Sequence, residues 1–134
     1  MVDDSDLSIH DTALRELDEE LGIHPDKVKI LGVLRCDWSE VASLTGISVT
    51  PIIGYIGEIS SISLVPNPKE VSEVFTVPIK EILNSNNWQM REFSAPVFSS
   101  SKNGAVWGLT GYILERFISQ ALKPSLNNTT PTVF

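Results

Sequence analysis

Between Arg15 and Ile23 the chain reads Arg-Glu-Leu-Asp-Glu-Glu-Leu-Gly-Ile. On a helix, Glu16, Glu19 and Glu20 fall at i, i+3 and i+4, so three carboxylates share one face. Like charges at that spacing destabilise a helix by roughly 0.2–0.5 kcal/mol per pair. A hard divalent cation such as Mg²⁺ offsets the repulsion, because it prefers carboxylate and water oxygens. The opposite face carries Leu14, Leu17 and Leu21 and can bury against a sheet. Acidic residues on one helix face are usually a solvated surface, and three carboxylates alone do not overturn that reading.

Elsewhere the reactive side chains lack such company. His10 and His24 have no partners at metal-ligand spacing, and His24-Pro25 reads as the exit from a helix. Cys36 is the single cysteine, so no internal disulfide forms, and a small packed side chain is the expectation. Trp107 stands at the start of a helical pattern and is expected to anchor the core rather than to stack on a base.

The elements that must position these residues follow from periodicity. Leu14, Leu17 and Leu21 predict a helix over 11–21, capped by Asp11 or Thr12 and stopped by Gly22, with Pro25 soon after. Val28 to Leu34 and the β-branched run Ile47 to Ile56 predict strands, with a polar loop, Asp37 to Thr45, between them. Pro66-Asn67-Pro68 is a strong breaker. A short strand is expected over Val74 to Val77, a short helix from Pro78 to Leu83, and a strand over Phe93 to Ser99. The longest helical pattern runs from Trp107 to Leu122, and residues 123–134, polar with two prolines, are expected to be disordered. The class is mixed, α/β or α+β, in one domain.

Composition bounds the function. Hydrophobic residues make up 42% of the 134 and charged residues 20%, as in a globular domain able to bury a core. The net charge of −7 repels a phosphate backbone and argues against nucleic-acid binding. A small anionic substrate remains compatible if a bound cation reverses the local field. No apolar run approaches the roughly 18 residues of a membrane helix, so no membrane partner is expected. The acidic start, Met-Val-Asp-Asp-Ser-Asp, is not a signal peptide, and the last four residues are not a peroxisomal address.

The run from Arg15 to Ile23 resembles the second half of the Nudix box, Arg-Glu-hydrophobic-x-Glu-Glu-x-Gly-hydrophobic, at every fixed position. The first half does not match: the box's first Glu would fall on Leu7. Asp3, Asp6 and Thr12-Ala13-Leu14-Arg15-Glu16 instead resemble the coenzyme A diphosphatase branch, whose Gly-Gly pair would lie just before Met1. The sequence is therefore expected to start inside the Nudix loop. Downstream, Val49-Thr50-Pro51 with Gly54, Asn67-Pro68-Lys69-Glu70-Val71, Val74-Phe75-Thr76-Val77-Pro78 and Trp107-Gly108-Leu109-Thr110 resemble further segments of that branch, with Gly111 where alanine is usual. The arginine-rich signature of the branch, upstream of the Gly-Gly pair, is not in the sequence.

The resemblance implies an α/β/α sandwich with a mixed sheet, incomplete at its N-terminus, over residues 1–122. It implies Glu16 and Glu20 as ligands of Mg²⁺ or Mn²⁺. Glu19 is implied as a further ligand or as the base that orients water, and Arg15 as the residue that pairs with a box glutamate and holds it. Glu70 falls where many Nudix proteins place another catalytic or ligating glutamate, against the alternative of a plain loop carboxylate. Asp3 and Asp6 are weaker candidates, for contact with the metal through water. The implied reaction is hydrolysis of a diphosphate in coenzyme A or acyl-coenzyme A, giving 3′,5′-ADP and 4′-phosphopantetheine. NADH and ADP-ribose are the neighbouring substrates, and an inactive Nudix-derived binding protein is the alternative of another class. The branch suggests an intracellular setting, mitochondrion or peroxisome; oligomeric state is not encoded in any pattern found.

Overall fold

A computed structural model describes residues 8–36, 49–91, 94–100 and 104–127. The chain divides into two units, Met1–Gly32 with Ile52–Val74, and Val33–Pro51 with Phe75–Phe134.

The first unit opens with helix α1, Ile9–Leu21. Its cap is Ser8, not Asp11 or Thr12: the Ser8 hydroxyl accepts from the Asp11 N–H at 3.2 Å, and the Ser8 carbonyl accepts from the Thr12 N–H at 3.1 Å. Ser8 has the extended backbone that aims a hydroxyl at the first free N–H groups. Helical periodicity begins only at Leu14, which is why the sequence placed the start late. Gly22 ends the helix at φ +71°, donating its N–H to the Asp18 carbonyl at 2.8 Å. No α1 residue is fully buried; Leu14, Leu17 and Leu21 are half-covered among the described residues. Ile23, just past the cap, is buried. Strand β1, Lys29–Val33, pairs with β2, Ile52–Tyr55, in a two-stranded sheet. Of the strand expected over Ile47 to Ile56, the described residues show Ile52–Tyr55 as strand and 49–51 not; Ile47, Ser48 and the loop Asp37 to Thr45 lie outside the described residues.

The second unit holds the larger core. Helix α2, Ile79–Ile82, precedes an antiparallel sheet of β3 (Trp88–Gln89), β4 (Val97–Ser99) and β5 (Ala105–Val106), with Phe98 opposite both Trp88 and Val106. Strands of two residues are too short to show periodicity, so β3 and β5 leave no sequence signal. Phe93 lies outside the described residues, and the strand predicted there is Val97–Ser99. Val74 to Val77 is not a strand. Its burial runs half-buried, exposed, exposed, half-buried, which is not the alternation of a pleated strand.

Phe98, Ile82, Ile118 and Leu122 form one buried cluster, against which Trp88 packs with its ring 5.3 Å from that of Phe98. The Trp88 indole N–H, taken from water, donates to the Ile82 carbonyl at 2.7 Å. Ala95 and Tyr112 form a second cluster with Cys36 and Leu109 beside them. Helix α3, Gly108–Phe117, supplies Tyr112, and a π-helical turn, Ile118–Leu122, carries the helical backbone into α4, Lys123–Asn127. Pro124 accounts for that turn: it has no N–H to give and its ring crowds the carbonyl four residues back, which a wider turn relieves. Helix thus extends into the stretch where disorder was expected, while residues 128–134 lie outside the described ones. Gly111 sits where a Cβ would come 2.6 Å from the Pro96 carbonyl oxygen. That contact favours glycine at this position.

The class is the mixed α and β one expected, with the described strands in two small sheets rather than a single one.

Candidate functional site

Helix α1 sets out the acidic residues at the expected spacing. Glu19 and Glu20 are exposed and Glu16 is half-buried. Arg15, one turn before Glu19, donates from Nη1 to both carboxylate oxygens, at 3.0 and 3.1 Å. The contact fixes the orientation of Glu19, although a pair this exposed contributes at most about 1 kcal/mol to stability.

The C-terminal end of α1 shows what the sequence does not. The last carbonyls of any helix have no partner within it. Here the Leu21 carbonyl accepts from the Val65 N–H and the Glu20 carbonyl from the Asn67 N–H, both at 2.8 Å. Asn67 then folds the chain into a tight turn. Its carbonyl accepts from the Glu70 and Val71 N–H groups, at 3.1 and 2.8 Å, and its side-chain oxygen accepts from the Lys69 N–H at 3.1 Å. Pro66 and Pro68, which lack N–H groups, flank the turn without leaving donors unpaired. The exposed Glu70 is therefore carried on a turn tied to the end of the acidic helix, with Asn67 Nδ2 3.5 Å from its Oε2. Gly22 admits this arrangement, since a Cβ there would meet the Val65 Cβ at 2.9 Å.

Among the described residues no three His, Cys, Asp or Glu side chains gather into a closed metal cage. Mg²⁺ rarely uses one: it takes one or two carboxylates and completes its shell with water and substrate phosphate. Glu16 and Glu20, one turn apart on the same face, fit such an open site. Asp3 and Asp6 lie outside the described residues.

Of the remaining candidates, His10 is exposed on α1, and His24 accepts the Asp26 N–H at its Nδ1, opening a single turn Pro25–Lys27. Cys36 is half-buried beside Tyr112 and Ala95. Trp107 overturns its expectation. It is 70% exposed, not a core anchor, because it precedes α3 and stands off the stripe on which Tyr112 is buried. It borders an open cavity of about 570 Å³, shared with Arg91, Ser94 and Leu109.

Sequence reasoning passed over Asn67 as a positioning residue. The available signal was the Asn between two prolines, a composition that favours a side-chain-capped turn.

Comparison with known families matches the NUDIX domain over residues 1–99, which takes in α1 and the Glu70 turn. The chain belongs to the Nudix family. A Nudix hydrolase of Photorhabdus laumondii, NudL, itself uncharacterized, is 34% identical over 90% of this chain and 64% of its own length. The NudL of Pectobacterium atrosepticum is 33% identical over 88% and 62%. A mitochondrial coenzyme A diphosphatase of Homo sapiens is 35% identical over 91% of this chain and 52% of its own length. The Nudix chain thus spans between half and two thirds of these relatives. Nudix hydrolases generally need a divalent metal, which the open pair Glu16 and Glu20 suits. No described helix is long and apolar enough to cross a membrane.

Proposed function

We propose that the chain carries the site of a metal-dependent diphosphatase acting on coenzyme A or acyl-coenzyme A. The observation that carries this reading is the Glu70 turn, tied by the Val65 and Asn67 N–H groups to the end of the helix that bears Glu16, Glu19 and Glu20. The hydrogen bonds tie the backbone of the turn that carries Glu70 to the end of the acidic helix, from a distant part of the sequence. Likeness to the human mitochondrial coenzyme A diphosphatase supports this substrate, and a mitochondrial location belongs to the same reading.

Glu16 and Glu20 would hold Mg²⁺ or Mn²⁺, which when bound supplies a more acidic water and neutralises charge on the diphosphate. Arg15 positions Glu19, whose two oxygens it occupies, so that Glu19 orients rather than shuttles protons. Glu70 takes the proton from the attacking water. The water oxygen bonds to one phosphorus, the bond from that phosphorus to the bridging oxygen breaks, and the bridging oxygen leaves with the other phosphate. The products are 3′,5′-ADP and 4′-phosphopantetheine, or its acylated form.

The test is incubation of the purified 134-residue chain with coenzyme A and Mg²⁺ or Mn²⁺, following 3′,5′-ADP. Release is expected, and Glu20→Gln should lower it by at least about a hundredfold, as loss of a metal ligand lowers transition-state stabilisation by several kcal/mol. Release that persists in Glu20→Gln would overturn the site. Turnover of NADH or ADP-ribose in place of coenzyme A would keep the site and replace the substrate.

A further inference from the structure

The turn that carries Glu70 is closed by acceptor atoms of Asn67. Its carbonyl accepts from the Glu70 and Val71 N–H groups, and its side-chain Oδ1 accepts from the Lys69 N–H at 3.1 Å. Asn followed by Pro is a favoured opening for such a turn. These bonds leave the other half of the side-chain amide unused. Aspartate offers the same acceptor oxygen and makes the same kind of turn, so the turn alone does not ask for asparagine.

The second half of the amide points to a different task. The atom that accepts from the Lys69 N–H must be oxygen, which assigns Nδ2 to the other branch. That donor lies 3.5 Å from Oε2 of Glu70. The distance is long for a hydrogen bond, and contacts at catalytic groups often tighten only when substrate is bound. An amide is also the neutral choice at this place. The turn is bonded to the carbonyl of Glu20, whose helix also bears Glu16 and Glu19, in a chain of net charge −7. A carboxylate at position 67 would repel that of Glu70, where the amide N–H attracts it.

We infer that Asn67 is a positioning residue for the proposed hydrolysis: its amide, fixed by the Lys69 N–H, holds the Glu70 carboxylate in the orientation that takes a proton from water. The inference rests on the role given to Glu70 in that reaction. Glu70 is exposed, so without such a partner its side chain samples many rotamers, and few of them face one particular water.

The test compares the full chain with Asn67→Asp in steady-state hydrolysis of coenzyme A with Mg²⁺, alongside thermal melting. Asn67→Asp keeps the acceptor that closes the turn and loses the donor. It should lower kcat about tenfold or more, with KM and the melting temperature little changed. A role in the turn alone predicts an unchanged kcat, and that result overturns the inference. In a Glu70→Gln chain, adding Asn67→Asp should lower kcat little further, because the two side chains act as one unit. Full additive losses overturn it as well. The contact also has a readout that needs no turnover: the NMR signals of the Asn67 Nδ2 protons should shift in Glu70→Ala. Identical signals in the two chains would show that no contact exists. The two readings fail separately. No release of 3′,5′-ADP by the unaltered chain, with Asn67 signals that respond to Glu70, sinks the diphosphatase while the contact stands. Release with kcat unchanged in Asn67→Asp sinks only the role of Asn67.

Discussion

Arg15 and Glu19 face each other across one turn of α1, with side chains 26% and 54% exposed. At that exposure the pair is screened, and its loss should cost less than about 1 kcal/mol of stability. Its effect on the proposed chemistry is larger, because a carboxylate that must orient a water loses its use once it rotates away. Arg15→Ala is therefore expected to lower kcat about tenfold or more while the melting temperature moves by only a few degrees. Arg15→Ala combined with Glu19→Gln should be little worse than Glu19→Gln alone, since both changes remove one unit. Additive losses in kinetic assays of the three variants would show that Arg15 acts on something other than Glu19. An unchanged kcat in Arg15→Ala would return the pair to the ordinary surface ion pair that its exposure also describes.

At the scale of elements the weight falls on Gly22. It holds φ +71°, and it lets Val65 approach, which puts Asn67 and then Glu70 at the end of α1. Gly22→Ala meets both demands badly. The left-handed backbone costs a non-glycine residue about 1–2 kcal/mol, and the 2.9 Å contact with Val65 adds strain. Stability should fall by about 2–3 kcal/mol in denaturant unfolding, with hydrolysis reduced at temperatures where the protein stays folded. Val65 is largely exposed, so Val65→Ala alone should cost little. Added to Gly22→Ala it should recover the steric part and leave the backbone part. No recovery would mean that the approach of Val65 does not hold the turn. The helix end was legible in the sequence because Gly followed by Pro is local punctuation, and the acidic face because its spacing is a helical period. The Ser8 cap was not, since it lies ahead of any periodic signal. Nor was the bond from Asn67 to Glu20: it joins segments far apart in sequence, and no local pattern encodes which carbonyl a distant N–H will reach. Trp107 misled for a related reason, because an aromatic beside a helical stripe reads as core until the stripe's own start, at Gly108, is known.

For the molecule as a whole, the burial is unequal. Of the ten buried hydrophobic residues among the described ones, Ile23 alone lies in the unit that carries α1 and the Glu70 turn; the other nine, Phe98 and Ile118 among them, lie in the second unit. Each buried side chain of that size is worth about 1.5–3 kcal/mol against exposure, so the candidate site rests on the less supported of the two units. Local opening follows such differences. Amide hydrogen exchange should accordingly be fast along α1, where no residue is fully buried, and slow at Phe98, Ile118 and Leu122. The net charge of −7 adds to this, because the carboxylates of α1 repel one another until a cation is present. Mg²⁺ with a non-hydrolysed coenzyme A analogue should therefore slow exchange along α1 and at Asn67 and Glu70, by the free energy of binding to the closed form. Protection should change little at Phe98, Ile118 and Leu122. Uniform protection across both units in the unliganded chain would contradict the inequality of burial. Slowing confined to the second unit would mean that the ligand does not engage the acidic helix at all.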